Sequence, residues 1–186
     1  MILFINACVS EGSRTKRLAS YLLEKLGGPV TEIDLSGHEF PIVNAAFLAK
    51  RDRLIEEKKW DDPLFEMARK FAEADRIVIA APYYDLSFPA SLKQFFEQIN
   101  VLGITFEYSP EGLPIPLCKA DRLYYITTAG GAFVPEEYGF GYVKALSENF
   151  YGIPDVRQVI AAGLDIYGAD IEGIMKKAFM DCDKIV

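Results

Sequence analysis

Short apolar runs alternate with amphipathic stretches along most of the chain. Met1–Asn6 (MILFIN) is a compact apolar run and predicts a strand. In Arg14–Leu26, Leu18, Leu22 and Leu26 recur at i, i+4 and i+8, the stripe of a helix with one buried face. Gly27-Gly28 stops that helix, because glycine tolerates left-handed backbone at a helix C-terminus. Val30–Leu35 is a second, weaker strand. Ala45–Lys59 has helical character but is highly charged, which predicts an exposed excursion. Asp61-Asp62-Pro63 opens a further helix, with Leu64, Met67, Ala68, Phe71 and Ala72 on one face. Arg76–Ala81 (RIVIAA) is almost continuously apolar, as a strand buried on both faces reads.

Beyond Pro82 the alternation continues. Ser91–Ile99 predicts a helix through Leu92, Phe95, Phe96 and Ile99. Residues 103–119, broken by Gly103, Pro110, Gly112, Pro114 and Pro116, predict an extended loop or β excursion. Leu123–Thr127 and Val156–Ala162 are strands; Tyr138–Phe150 and Ala169–Cys182 are helices. Strands separated by helices imply βαβ units and a parallel sheet. The expected fold is α/β: a single domain over residues 1–186, with a five-stranded parallel sheet of flavodoxin-like order 2-1-3-4-5 and helices on both faces. Ligands in such sheets sit outside the carboxyl ends of the strands, at the point where the strand order reverses. The informative loops should therefore follow the first, third and fourth strands.

Composition narrows the function classes. The chain has 186 residues, 51% of them hydrophobic, and a net charge of −7. An acidic chain lacks the electrostatic footprint for nucleic-acid phosphates or an anionic membrane surface. The three cysteines, Cys8, Cys118 and Cys182, are widely spaced, so neither a CxxC metal site nor a disulfide framework is expected. The apolar start lacks a basic n-region and is not a signal peptide, so the expected location is the cytoplasm. The one histidine, His38, excludes multi-histidine metal sites, and a Ser–His–Asp hydrolase would have to use it.

The first loop, Ala7–Thr15, is short, rich in hydroxyls, and opens a helix. Helix N-termini present unpaired N–H groups; Ser10, Ser13 and Thr15 add hydroxyls, and Arg14 adds a cation, a set suited to a terminal phosphate. Neither GxxxxGK[ST] nor GxGxxG is present. The same residues would also serve an ordinary surface helix capped by serine. The second loop holds Pro82, Tyr83, Tyr84, Asp85 and Leu86: stiff, aromatic, and a candidate wall for a flat ring. The third, Thr128, Ala129, Gly130 and Gly131, lets backbone approach a ligand closely. A phosphate on the first loop and a planar heterocycle between the other two describe a site for flavin mononucleotide (FMN).

These segments resemble a known family. Ala80-Ala81-Pro82-Tyr83-Tyr84-Asp85-Leu86, followed by Pro89–Glu97, is similar to the AAPMYNF…LKxxxD segment of FMN-dependent NAD(P)H azoreductases and quinone reductases. Gly103–Tyr108 with Glu111-Gly112-Leu113 resembles their GxTFxY…GL segment. Thr128-Ala129-Gly130-Gly131 falls where they carry SRGG, and Ser13-Arg14-Thr15 where they carry a Ser-Gln-Ser phosphate loop. Phe150–Ile153, and Ala162-Gly163-Leu164 with Tyr167-Gly168, match later pieces in order. The resemblance implies a homodimer with FMN at the subunit interface and NADH or NADPH as co-substrate. It implies ping-pong transfer of hydride to a quinone, azo or similar aromatic acceptor. The flavin carries the hydride, so no catalytic side chain is required. Ser10, Ser13, Arg14 and Thr15 would hold the phosphate. Tyr83, Tyr84, Asp85 and Leu86 would contact ribityl and ring, and Thr128 to Gly131 the pyrimidine edge. Tyr108 and Phe150 would line the acceptor pocket, Phe150 from the same or the partner subunit.

Two positions depart from the pattern. Asp85 replaces Asn, and a carboxylate cannot donate to a flavin unless protonated. The expectation is a lowered flavin potential, or an Asp85 turned away from the ring. Ala129 replaces Arg and removes a cation. Cys8 reads as a buried small hydrophobe, His38 as a solvated loop residue, Trp60 as an anchor for the charged excursion, and Lys50–Lys59 as a solvated face. The competing function is a flavodoxin-type electron carrier that binds FMN without using nicotinamide.

Overall fold

A computed structural model describes residues 1–186. In chain order the elements are β1 (Ile2–Asn6), α1 (Arg14–Leu26), β2 (Val30–Asp34), α2 (Ala45–Glu56), α3 (Glu66–Glu73), β3 (Arg76–Ala80), α4 (Ala90–Ile99), β4 (Phe106–Tyr108), β5 (Pro114–Pro116), β6 (Arg122–Thr128), α5 (Phe140–Leu146), β7 (Asp155–Ala161) and α6 (Ile171–Ile185). The main sheet has five strands in the order β2-β1-β3-β6-β7, all neighbours parallel. With β4 and β5 set aside, that is the expected 2-1-3-4-5.

Strand alternation sorts the side chains into two cores. Leu3, Ile5, Ile77, Ile79, Leu123 and Tyr125 face α3, α4 and α5. Phe4, Val78, Ala80, Tyr124 and Ile126 face α1 and α6. Both faces are covered, so β1, β3 and β6 are buried almost throughout and carry no exposed polar face. In the first core Phe71 packs edge-on against Tyr151 at 4.7 Å. The Tyr151 hydroxyl is satisfied there by donating to Asn100 Oδ1 at 2.7 Å.

The β excursion is borne out, and two of the predicted helices differ at one end for physical reasons. Residues 103–119 fold as the antiparallel hairpin β4–β5, and Pro116 of β5 sits over Gly152. A Cβ at Gly152 would fall 2.6 Å from the Pro116 ring, and its φ is +68°, so both space and backbone require glycine. The predicted helix over 138–150 is shorter: α5 ends at Leu146, and a single π-turn, Ser147–Tyr151, follows. That wider turn carries Tyr151 into the core. The helix expected from Asp61 starts with a 3-10 turn over Pro63–Phe65, capped by Asp62, whose side chain accepts from the Leu64 N–H at 2.9 Å. α2 is the exposed excursion its charges predict, with Leu54 its one buried residue. Trp60 anchors it, packing on Phe65 and over Gly103.

Candidate functional site

At the carboxyl ends of β1, β3 and β6 the connecting loops converge on a cavity of about 340 Å³. Its lining includes Ser10, Ser13, Arg14 and Thr15 from the first loop, Pro82 and Tyr84 from the second, and Thr128, Ala129 and Gly130 from the third. Leu164 and Asp165, from the loop after β7, complete it. A larger cavity of about 500 Å³ lies between α1 and α6, but of the three loops only Arg14 reaches it. The smaller cavity is therefore the one that the sequence pointed to.

The loops are tied together by short polar contacts. Thr15 Oγ1 and Thr128 Oγ1 are 2.7 Å apart, linking the start of α1 to the end of β6. Tyr83 N–H donates to the Thr128 carbonyl at 3.0 Å, joining the second and third loops. Ser13 is the N-cap of α1, its Oγ accepting from the Lys16 N–H at 3.2 Å. A hydroxyl that accepts in this way keeps its own proton to donate. The cap leaves other donors free: the N–H groups of Arg14 and Thr15, at the head of α1, find no acceptor in the protein. The Gly130 and Gly131 N–H groups are unpaired as well.

Arg14 does not extend freely into the cavity. Its guanidinium donates to the Leu164 carbonyl at 3.2 Å and to Asp165 Oδ1 at 2.8 Å. Lys16, next along α1, pairs with Glu32 at 3.3 Å. Asp165 was not among the residues expected from the sequence. Its partner Arg14 lies 151 positions away, and the only available signal was an acidic side chain just past the last strand.

The second loop is a two-residue hairpin turn. Tyr84 N–H donates to the Ser87 carbonyl at 2.9 Å, and Ser87 N–H returns to the Tyr84 carbonyl at 2.8 Å. Its central residues, Asp85 and Leu86, have φ of +49° and +69°. Such a turn normally takes Asn-Gly; a leucine in left-handed backbone costs about 1–2 kcal/mol. Both side chains are exposed and neither lines the cavity. Tyr83 and Gly131 also lie off the lining. Beneath this loop the buried hydroxyls of Tyr83, Tyr125 and Thr127 have no hydrogen-bond partner. Burial holds the Tyr125 hydroxyl well above the usual phenol range, with Thr127 beside it acting the other way.

Tyr108 and Phe150 stand apart from the cavity within one chain. They flank Phe106, Phe150 at 4.9 Å and Tyr108 at 5.4 Å, on the β4–β5 hairpin side. Cys8 is buried, and burial pushes its thiol above the ordinary value, against a role as a reactive thiolate. His38 is exposed, with its ring edge-on to Phe40.

A five-stranded parallel sheet of this order, with its loop-lined cavity at the strand reversal, now meets a family pattern that matches residues 1–185. The chain belongs to the flavodoxin-like fold family. It is similar to an FMN-dependent NADH:quinone oxidoreductase of Lachnoclostridium phytofermentans, 35% identical over 185 residues, covering 95% of this chain and 92% of that protein. An FMN-dependent NADH:quinone oxidoreductase 2 of Clostridium acetobutylicum is 40% identical over 121 residues, 62% of this chain and 60% of that one. Among solved structures, an FMN-dependent NADH-azoreductase of Bacillus anthracis in complex with FMN aligns with a TM-score of 0.81 at 25% identity, covering 98% of this chain and 95% of that one.

The donor set of this family member fits a phosphate monoester bearing a ring. Free helix N-terminal N–H groups, the hydroxyls of Ser10, Ser13 and Thr15, and a guanidinium line the cavity. Pro82, Tyr84 and the unpaired Gly130 N–H lie on the same lining. No helix is long and apolar enough to cross a membrane.

Proposed function

We propose that this chain is a single FMN-binding domain that uses NADH to reduce a quinone, azo or similar aromatic compound. The observation that carries the reading is the cavity itself: hydroxyl, N–H and guanidinium donors from α1's head, brought together with residues of the second and third loops at the carboxyl ends of the strands. Bound FMN would supply the hydride chemistry, so the protein needs to bind, orient and shield rather than to donate protons.

Each element then has a task. The Arg14 and Thr15 N–H groups with the Ser10 and Ser13 hydroxyls would hold the phosphate, and Arg14 would balance its charge. Thr15 and Thr128, already in contact, would fix the spacing between phosphate corner and ring corner. Pro82 and Tyr84 would form the wall against ribityl and ring. Gly130 and Gly131 offer N–H donors to the polar edge of the heterocycle, with Ala129 completing that loop. Tyr83, Asp85 and Leu86 would act through the backbone of the turn.

Tyr108 and Phe150 fit this scheme as walls of an acceptor pocket in a homodimer, reaching the partner's cavity. The second and third loops and the segment after them support that reading: Tyr84, Leu86, Phe133 and Tyr138 all expose large apolar surface. The names of the relatives favour NADH over NADPH and a quinone or azo acceptor. The expected location is the cytoplasm. The test is steady-state NADH consumption by the FMN-loaded protein with a benzoquinone and with an azo dye, alongside light scattering for subunit number. Turnover dependent on FMN is the expected result. NADH oxidation absent with every acceptor, with FMN bound, would favour an electron carrier instead.

A further inference from the structure

The cation assigned to the phosphate is not electrically free. Arg14 is held by Asp165, whose carboxylate lines the same cavity. The second carboxylate oxygen of Asp165 lies against Gly130, so closely that a methyl group at position 130 would overlap it. The absence of a Cβ there is what admits the carboxylate. The other cations of the α1 head do not make up the difference. Lys16 is paired with Glu32, and Arg17 lies over the Phe179 ring at 5.5 Å on the wall of the other cavity. The phosphate corner therefore carries one positive and one negative side chain.

Resting on the FMN reading above, we infer that Asp165 sets the affinity of this site for a phosphate monoester, by neutralising Arg14 and placing a negative charge beside the bound anion. It is an affinity-determining residue and not a catalytic one. Two effects of opposite sign compete. The carboxylate holds the Arg14 fork in place, which favours binding; it also repels a dianion, which opposes it. The second wins, because Arg14 is also anchored by the Leu164 carbonyl and keeps that orientation without the charge. An ion pair as exposed as Arg14–Asp165 is weak, so a phosphate competes for the guanidinium readily.

Asp165→Asn separates the two effects. The amide oxygen still accepts from Arg14, and only the charge is lost. Apoprotein is titrated with FMN and with riboflavin, the same ring without the phosphate, following flavin fluorescence at several salt concentrations. For Asp165→Asn the Kd for FMN should fall about five- to ten-fold, and more steeply at low salt, while riboflavin binding is unchanged. Inorganic phosphate should raise the melting temperature of the variant more than that of the wild type. FMN binding unchanged or weakened in the variant, or tightening equally for riboflavin, would overturn the inference. A wild-type protein that binds no flavin, with the phosphate response still enhanced by Asp165→Asn, would support Asp165's role and overturn the FMN reading alone.

Discussion

The two ends of the same five strands are built on opposite principles. At the amino ends, charge is paired. The Met1 amino group meets Asp75, and Asp155 accepts from Arg122 at 2.6 Å and from Arg157 at 2.8 Å. Arg157 also closes onto the Ile185 carbonyl at the end of α6, at 2.8 Å. At the carboxyl ends, polar groups are left without partners: the N–H groups of Arg14, Thr15 and Gly130 on the cavity lining, and the hydroxyls of Tyr83, Tyr125 and Thr127. Two non-glycine residues there sit in left-handed backbone. A buried polar group without a partner costs about 1–3 kcal/mol, so this end is less stable than it could be. The difference teaches where to look for function: unpaired donors and left-handed backbone collect at the carboxyl ends of the strands.

Substitutions at the two ends should therefore separate binding from stability. Arg14→Ala should weaken FMN binding about 10- to 100-fold, the scale of charge-assisted hydrogen bonds, because it leaves Asp165 alone in the phosphate corner. The melting temperature of the apoprotein should hardly change; a flavin titration beside a thermal melt reads both. Asp155→Ala is the converse. It should cost about 1–2 kcal/mol of stability in urea unfolding, by stranding two half-buried arginines, and leave the Kd for FMN untouched.

The same aspartate sharpens the contrast through pH. Hydrogen bonds from Arg157, then from Arg122, hold the Asp155 carboxyl below its ordinary value of 3.8. Its stabilisation is complete above that value and is lost as pH falls through the depressed folded one. Wild-type stability should therefore drop more steeply than that of Asp155→Ala as the pH is lowered below about 4. Leu86→Gly, at φ +69°, should raise stability by about 1 kcal/mol in the same unfolding assay, against the usual sign for glycine. The smallest effect is expected for Asp85→Asn. With its side chain exposed and off the cavity lining, redox titration should give an unchanged flavin midpoint potential; a clear rise would place the carboxylate near the ring.

The central fold was legible because β1, β3 and β6 are buried on both faces, and an apolar run such as Arg76–Ala81 is long enough for a strand but too short for a helix. Knowing the strand order located the site, since it names the loops that converge. Nine of the thirteen cofactor-loop residues expected from the sequence line the cavity; Tyr83, Asp85, Leu86 and Gly131 do not. Those four were legible as loop members; for Asp85 and Leu86 the reason is that side-chain direction in a left-handed turn is not written in residue type. Asp165 was illegible because its role depends on a contact across 151 positions, and on the missing Cβ of Gly130. The π-turn after α5 escaped notice because Ser147–Tyr151 keeps helical composition while Tyr151 is drawn into the core. Tyr108 and Phe150, named by resemblance, do not line the cavity within one chain; they pack on Phe106 at the β4–β5 hairpin.

The central claim is that this edge binds FMN and lets NADH reach it. The most direct measurement is the absorbance spectrum of the FMN-reconstituted protein before and after anaerobic addition of NADH. The account predicts that the flavin bands bleach within the mixing experiment and return when a quinone is added. Bound flavin that stays oxidised under NADH would contradict it.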